Sequence, residues 1–120
     1  MIKHTIFLAI TCLFTTNSCF SQKEEKFTAE VKKEMCDKVK EAAQHAWQGY
    51  KQYAWGADDL KPLTKTSKTW YKTSMLMTPV DAFDTFTLLG LKDEAAEAKE
   101  LILTKLNFNI DNDVQVFEIT

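Results

Sequence analysis

Residues 28–56 read TAEVKKEMCDKVKEAAQHAWQGYKQYAWG, and the spacing of their apolar side chains decides the fold class. Val31, Met35, Val39, Ala42, Ala43, Ala46, Trp47, Tyr50 and Tyr53 recur in three- and four-residue steps. On a helix of about 3.6 residues per turn those steps draw one stripe, with lysines and glutamates on the other face. The pattern predicts a long amphipathic helix from Thr28, with Gly56 as its stop because glycine ends a helix without steric cost. Cys36, at helical spacing beside Met35 and Val39, reads as a small buried hydrophobe and not as a nucleophile.

Downstream the period changes. Between Ala57 and Met77 the periodicity is lost, Pro62 interrupts and hydroxyl residues crowd in (Thr64, Thr66, Ser67, Thr69, Thr73, Ser74), which reads as a long loop anchored by Trp70 and Tyr71. Thr78-Pro79-Val80-Asp81 then offers a hydroxyl cap, a proline at the first helical position and an acid three residues after the cap. The helix it opens should carry Val80, Phe83, Phe86 and Leu89 inward and stop at Gly90. A third helix is expected from near Lys92 to Leu106, with Asp93 and Glu94 at its positive end and Ala95, Ala98, Leu101 or Ile102, and Leu106 as its buried stripe. Asn107 to Asp113 is a turn-rich link, and Val114, Val116, Phe117 and Ile119 begin an apolar element. The fold class is all-α.

The start of the chain has a different character. Met1 to Lys3 are cationic, Ile6 to Phe14 apolar, and Thr15 to Ser21 small and polar, the order of a secretory signal. The apolar run is too short to cross a bilayer as a helix. Residues 1–22 are therefore expected to be a secretion signal and residues 23–120 the mature part, secreted or periplasmic. Cys12 and Cys19 fall in the signal, so Cys36 has no internal disulfide partner. Cys19 is a second possible end of the signal, as a lipid-attachment cysteine. Membrane association is expected only through the signal or that lipid. Losing residues 1–22 removes Lys3 and no acid, moving the formal charge from −2 to −3. A mildly acidic chain without a basic face sets nucleic acid aside as a partner.

Few residues carry candidate chemistry. Asp111-Asn112-Asp113 lacks the glycine and the distant glutamate of an EF-hand and reads as a solvated turn. His45 has no second ligand at metal-binding spacing and reads as structural. The aromatic residues Trp47, Tyr50, Tyr53, Trp55, Trp70 and Tyr71 are more often core than a sugar platform, yet three helices offer them little core, and further helices are expected to pack against them. Asp81 and Asp84 have structural readings, as a capping acid and as a carboxylate near a helix start. Glu118 differs: it stands among Val116, Phe117 and Ile119 with no partner nearby in sequence. A carboxylate in apolar company can hold its proton and donate it, so Glu118 is open to both a catalytic and a structural reading.

Three groups of residues resemble glycoside hydrolase family 47, the class I α-1,2-mannosidases. They are His45-Ala46-Trp47-Gln48-Gly49-Tyr50, Tyr53-Ala54-Trp55-Gly56 and Asp59-Leu60-Lys61-Pro62-Leu63. Val80-Asp81-Ala82-Phe83-Asp84-Thr85, Leu89-Gly90-Leu91, Leu106-Asn107-Phe108 and Val116-Phe117-Glu118 resemble the family's next blocks in the same order, covering about Val39 to Thr120. The resemblance implies the first helices of an (α/α) barrel of seven helix pairs, incomplete in this chain. It also implies an inverting enzyme that trims mannose from a mannose-containing glycan, with Glu118 as general acid acting through a water. Calcium is implied as cofactor, with its ligands expected beyond residue 120 and no metal ligand within this chain; the remaining catalytic carboxylates are expected in later blocks as well. The chain departs from the family at Ala57, where a histidine is usual, and at Lys72 and Ser74, where glycines are usual. A second reading is a noncatalytic helical envelope protein or lipoprotein that keeps an enzyme-derived stub.

Export is testable directly. Mass spectrometry of the protein from its own host should show a mature start between about Cys19 and Lys23; recovery of intact Met1 to Thr120 in the cytoplasm would contradict it.

Overall fold

The computed structural model describes residues 27–111, 113 and 115. The order of elements is α1 (Ala29–Tyr53), β1 (Asp59–Lys61), β2 (Thr66–Lys68), α2 (Met77–Leu89) and α3 (Lys92–Lys105). The described chain is mostly helical, as the apolar spacing predicts. Helix α1 begins where Thr28 Oγ1 accepts the Val31 N–H at 3.3 Å, which satisfies one of the free N–H groups of the first turn. Its surface carries Lys33–Asp37 and Glu34–Lys38 pairs one turn apart. Both are exposed, so each contributes only a few tenths of a kcal/mol.

The stripe is used unevenly. From Ala43 onward it packs: Trp47 and Tyr50 are buried. Earlier, Met35 and Val39 are exposed, and so is Cys36. The expectation that Cys36 is a buried hydrophobe is thus overturned, because among the described residues nothing packs on that half of α1.

The segment read as a loop contains a β-hairpin. Strands β1 and β2 are antiparallel with Asp59 opposite Lys68, Leu60 opposite Ser67 and Lys61 opposite Thr66. Residues 62–65 make the turn, with Lys65 in left-handed geometry at φ 54°. Two contacts lay the hairpin on α1. The Leu60 side chain reaches within 3.4 Å of where a Cβ on Gly49 would stand, and the Lys65 ammonium lies 5.5 Å from the Tyr53 ring centre. Leu60 therefore packs over Gly49 with just enough room for an added Cβ to make ordinary van der Waals contact.

What orders the rest of this segment is Asp58, which is fully buried. Its Oδ2 accepts the Trp70 N–H at 2.9 Å. Its Oδ1 accepts from the Ser74 hydroxyl at 3.0 Å, Met75 N–H at 2.7 Å and Met77 N–H at 3.3 Å. Its own carbonyl accepts both the N–H (3.1 Å) and the hydroxyl (2.6 Å) of Thr78. Asp58, about twenty residues upstream, therefore satisfies donors at the start of α2, its carboxylate taking the Met77 N–H and its backbone carbonyl the Thr78 N–H.

This corrects the expected cap. Thr78 lies inside the helix, Leu76 occupies the N-cap position with no side-chain hydrogen bond, and Asp81 is exposed on α2 without a capping bond. The Leu76 backbone is left-handed at φ 54°, a conformation that costs a branched residue about 1–2 kcal/mol. Burial of its side chain and the bond from Leu76 N–H to Ser74 Oγ at 3.1 Å hold it there. On α2, Pro79 and Phe86 are buried while Val80 is 42% exposed, so Val80 is not inward as expected. Val80 shares its stripe with the buried Phe86, but among the described residues its end of the stripe is left largely uncovered.

Gly90 ends α2 as the sequence indicates, at φ 71°. Its N–H reaches Thr87 O at 3.2 Å and Leu91 N–H reaches Phe86 O at 2.9 Å, the paired bonds of a Schellman motif, with Phe86 and Leu91 meeting in the core. Helix α3 then folds back on α2 and buries Ala98 and Leu101, two members of the stripe read from the sequence.

Replacing Asp58 by asparagine keeps the shape but turns an amide N–H₂ toward groups that are themselves donors. Asp58→Asn should cost about 2–3 kcal/mol. Amide exchange at Trp70, Met75 and Met77 should then quicken about thirty- to a hundredfold, and unchanged exchange there would contradict the assignment.

Candidate functional site

The described residues build one polar and aromatic assembly around Trp47. Its ring stacks on Tyr50 at 5.2 Å and meets Phe86 and Trp55 edge-on at 5.0 and 5.6 Å. Edge and offset contacts of this kind add about 0.5–1.5 kcal/mol each beyond area burial. The indole N–H donates to Glu97 Oε2 at 2.7 Å. Lys51, one turn along α1, donates to both oxygens of the same carboxylate at 2.7 and 2.9 Å. Gln44 reaches Glu94 at 2.8 Å, so Gln44, Trp47 and Lys51 of α1 grip Glu94 and Glu97 of α3 across a polar seam. Partial burial pushes the Glu97 carboxyl up, but the bonds from Lys51 and Trp47 and the Lys51 charge outweigh it and hold it below the ordinary glutamate range.

The Tyr50 hydroxyl is the second junction. It donates to Ala57 O at 2.8 Å and accepts the Gly56 N–H at 3.1 Å, clamping the turn in which Gly56 adopts φ 83°. Burial pushes its pKa up to about 12; the Gly56 N–H lowers it somewhat, and the nearby Asp58 charge adds to the rise.

The sequence-derived site residues fare differently. Glu118 lies outside the described residues, as do Cys12, Cys19, the rest of residues 1–22, and Asn112. His45 is exposed on α1. Asp81 lines a cleft of about 370 Å³ between α1 and α2 with Ala46, Trp47, Thr78 and Phe86. Asp84 is exposed. Asp111 and Asp113 are exposed as well, and they face Tyr71 and Lys72 across a cleft of about 280 Å³. The Gln115 N–H donates to the Tyr71 hydroxyl at 3.4 Å. Of the six aromatic residues singled out, Trp47 and Tyr50 do find a core, while Trp55 and Trp70 stay 46% and 37% exposed.

Two important residues escape the sequence reading. Asp58 gives no local signal, since its partners lie 12 to 20 positions away. Glu97 could be found from the pairing of Trp47 and Lys51 at i and i+4, whose donors converge on one point beside a helix carrying Glu94 and Glu97 at i and i+3.

Chemically, the buried carboxylate Asp58 already accepts four hydrogen bonds and is closed to solvent, so it builds and does not react. Among the described residues no three of His, Cys, Asp and Glu lie close enough to hold a metal ion. No described helix is long and apolar enough to cross a membrane.

These features define a helical scaffold segment: a clamped aromatic core leading into the stretch that precedes Glu118. Its kinship is direct. The chain belongs to glycosyl hydrolase family 47, whose family model matches residues 42–120. It is 45% identical over 82 residues to the rat endoplasmic reticulum mannosyl-oligosaccharide 1,2-alpha-mannosidase, a match covering 68% of this chain and 12% of that protein. It is 43% identical over 84 residues to the pig mannosyl-oligosaccharide 1,2-alpha-mannosidase IA, covering 68% and 13%. It is 40% identical over 90 residues to the Arabidopsis thaliana mannosyl-oligosaccharide 1,2-alpha-mannosidase MNS1, covering 75% and 16%. The chain thus spans only about an eighth of the length of such relatives.

The Tyr50 clamp has a pH signature. A phenol whose folded pKa is raised stabilises the fold fully below its unfolded value of 10.0, and that contribution is lost as the pH rises towards about 12. Phenolate absorbance of the wild type minus that of Tyr50→Phe should show a midpoint near 12, together with loss of helical circular dichroism. A difference curve centred near 10 would contradict the clamp.

Proposed function

We propose that this chain is the opening part of an exported, inverting α-1,2-mannosidase that trims mannose from a glycan, and that it is inactive by itself. The ordered match of residues 42–120 to the family, with relatives named as mannosidases at 40–45% identity, carries the reading. The first helices of a larger helical barrel are its structural part. Exposed apolar residues on α1 and α2, such as Val39, Val80 and Leu88, are consistent with faces that further helices would cover.

Inverting glycosidases use two carboxyl groups roughly 6.5–9.5 Å apart: an acid that protonates the departing oxygen and a base that activates water on the opposite face of the sugar. Glu118 is the acid in this proposal, delivering its proton through a water to the glycosidic oxygen as the bond to the anomeric carbon breaks. Its apolar sequence neighbours Val116, Phe117 and Ile119 favour a carboxyl that keeps its proton near neutral pH. The base belongs to later blocks of the longer enzyme. So do the calcium ligands, and no step assigned to residues of this chain involves the metal. Residues 1–22 act as the secretion signal, which agrees with an enzyme that meets glycans outside the cytoplasm.

The purified mature chain should release no mannose from an α-1,2-linked disaccharide. Grafted into the pig relative in place of the segment it matches, residues 42–120 should support release, and Glu118→Gln in that graft should lower turnover about a hundred- to ten-thousandfold. Near-normal turnover of the Glu118→Gln graft would show Glu118 to be a structural carboxylate, and mannose release by the isolated chain would overturn the proposal that it is only part of an enzyme.

A further inference from the structure

We infer that the cleft between α1 and the β1–β2 hairpin binds a neutral pyranose ring of a glycan through the side-chain amides of Gln48 and Gln52, opposite Asp59. This binding belongs to the cleft itself and holds whether or not the chain is part of a mannosidase.

The cleft has a volume of about 720 Å³, within the range of about 300–1,000 Å³ usual for small-molecule sites. Helix α1 makes one wall. His45, Gln48 and Gln52 follow one another in steps of three and four residues, so they share one face of the helix, and Tyr53 stands beside Gln52 in the lining. The neighbouring residues Gln44, Trp47 and Lys51 spend their donors on α3. Among the described residues, by contrast, no hydrogen bond engages the side chains of His45, Gln48 or Gln52. The hairpin makes the other wall with Asp59 and Lys65. Asp59 Oδ2 accepts the Trp70 indole N–H, which leaves Oδ1 without a described donor. Leu60, packed over Gly49, and Pro62 add apolar surface to the same lining.

This mixture selects a class of ligand. A pyranose carries C–H groups on its ring faces and hydroxyls around its rim, and each hydroxyl both donates and accepts. Glutamine amides do the same, and a carboxylate oxygen accepts. Apolar side chains and a tyrosine ring suit the C–H faces. Charge works against the alternatives. Asp59 and Lys65 bring one charge of each sign, and the Lys65 ammonium already lies 5.5 Å from the Tyr53 ring centre. A phosphate would meet the Asp59 carboxylate and a cation the Lys65 ammonium. A purely apolar ligand would strip water from the two amides and the carboxylate without replacing it, which is costly. A neutral polyol meets none of these penalties.

The test is an NMR titration of the full chain, labelled with nitrogen-15, with α-1,2-mannobiose, maltose and cellobiose, and with inorganic phosphate as the charged comparison. At least one sugar should shift the Gln48 and Gln52 side-chain amides saturably, with a Kd of about 1–10 mM. The Gln44 amide, bonded to Glu94, should not move. Gln48 and Gln52 are exposed, so the double variant Gln48→Leu, Gln52→Leu should keep its helical circular dichroism while the Kd, followed at the Gly49 and Tyr53 backbone amides, weakens about tenfold or more. No saturable shift with any of the three sugars below about 50 mM overturns the inference. So does a phosphate response at the same amides in place of the sugar response, or sugar binding by the folded double variant within twofold of the parent.

Discussion

One buried carboxylate holds this segment of chain together. Asp58 has no salt-bridge partner among the described residues; it is satisfied by Trp70, Ser74, Met75 and Met77 donors converging on its two oxygens. Burying a carboxylate is costly unless such donors are already in place, so the interaction works in both directions. The turn after α1 must deliver Asp58, and residues 70–78 must fold around it. From this follow the hairpin's place on Gly49, the left-handed Leu76 and the start of α2 one residue before the threonine that looks like its cap.

Around that constraint the aromatic core joins α1 to the α2–α3 pair. Trp47 touches Tyr50, Trp55 and Phe86 with its ring and Glu97 with its N–H. Tyr50 continues the chain of contacts to the Gly56–Ala57 turn and so to Asp58. A single run of packed rings and hydrogen bonds thus connects α3 to the loop that carries Tyr71. None of these groups is free to do chemistry, since each polar atom named already has its partner. The scaffold and Glu118, the carboxyl of the proposed function, are separate parts of the sequence.

How far the sequence discloses this depends on the range of the interaction. The three helices were legible because their signals are local: the stripe from Val31 to Tyr53, Gly90 with its left-handed stop, and Ala98 with Leu101 one turn apart. The hairpin was not, because strands of three residues have no period to detect and depend on Asp58 and Asp59 reaching forward to Trp70. Thr78 and Asp81 carry the letters of a capping box, but the Asp58 carbonyl takes the Thr78 N–H and hydroxyl and the helix begins before them. Cys36 and Val80 were misplaced because periodicity says which residues share a face and not whether that face has a neighbour. Of the candidate site, Glu118 stands out in the sequence for its apolar company, its proposed role rests on the ordered family blocks, and it lies outside the described residues.

The proposed function comes down to the Glu118 carboxyl, which in that proposal acts as an acid only in the company of the rest of the longer enzyme. Titration of a carbon-labelled Glu118 carboxyl by NMR, in the isolated mature chain and in the graft with the pig relative, measures this without any turnover assay. The proposal predicts that the Glu118 carboxyl keeps its proton to higher pH in the graft than in the isolated chain. An ordinary value in both would contradict it.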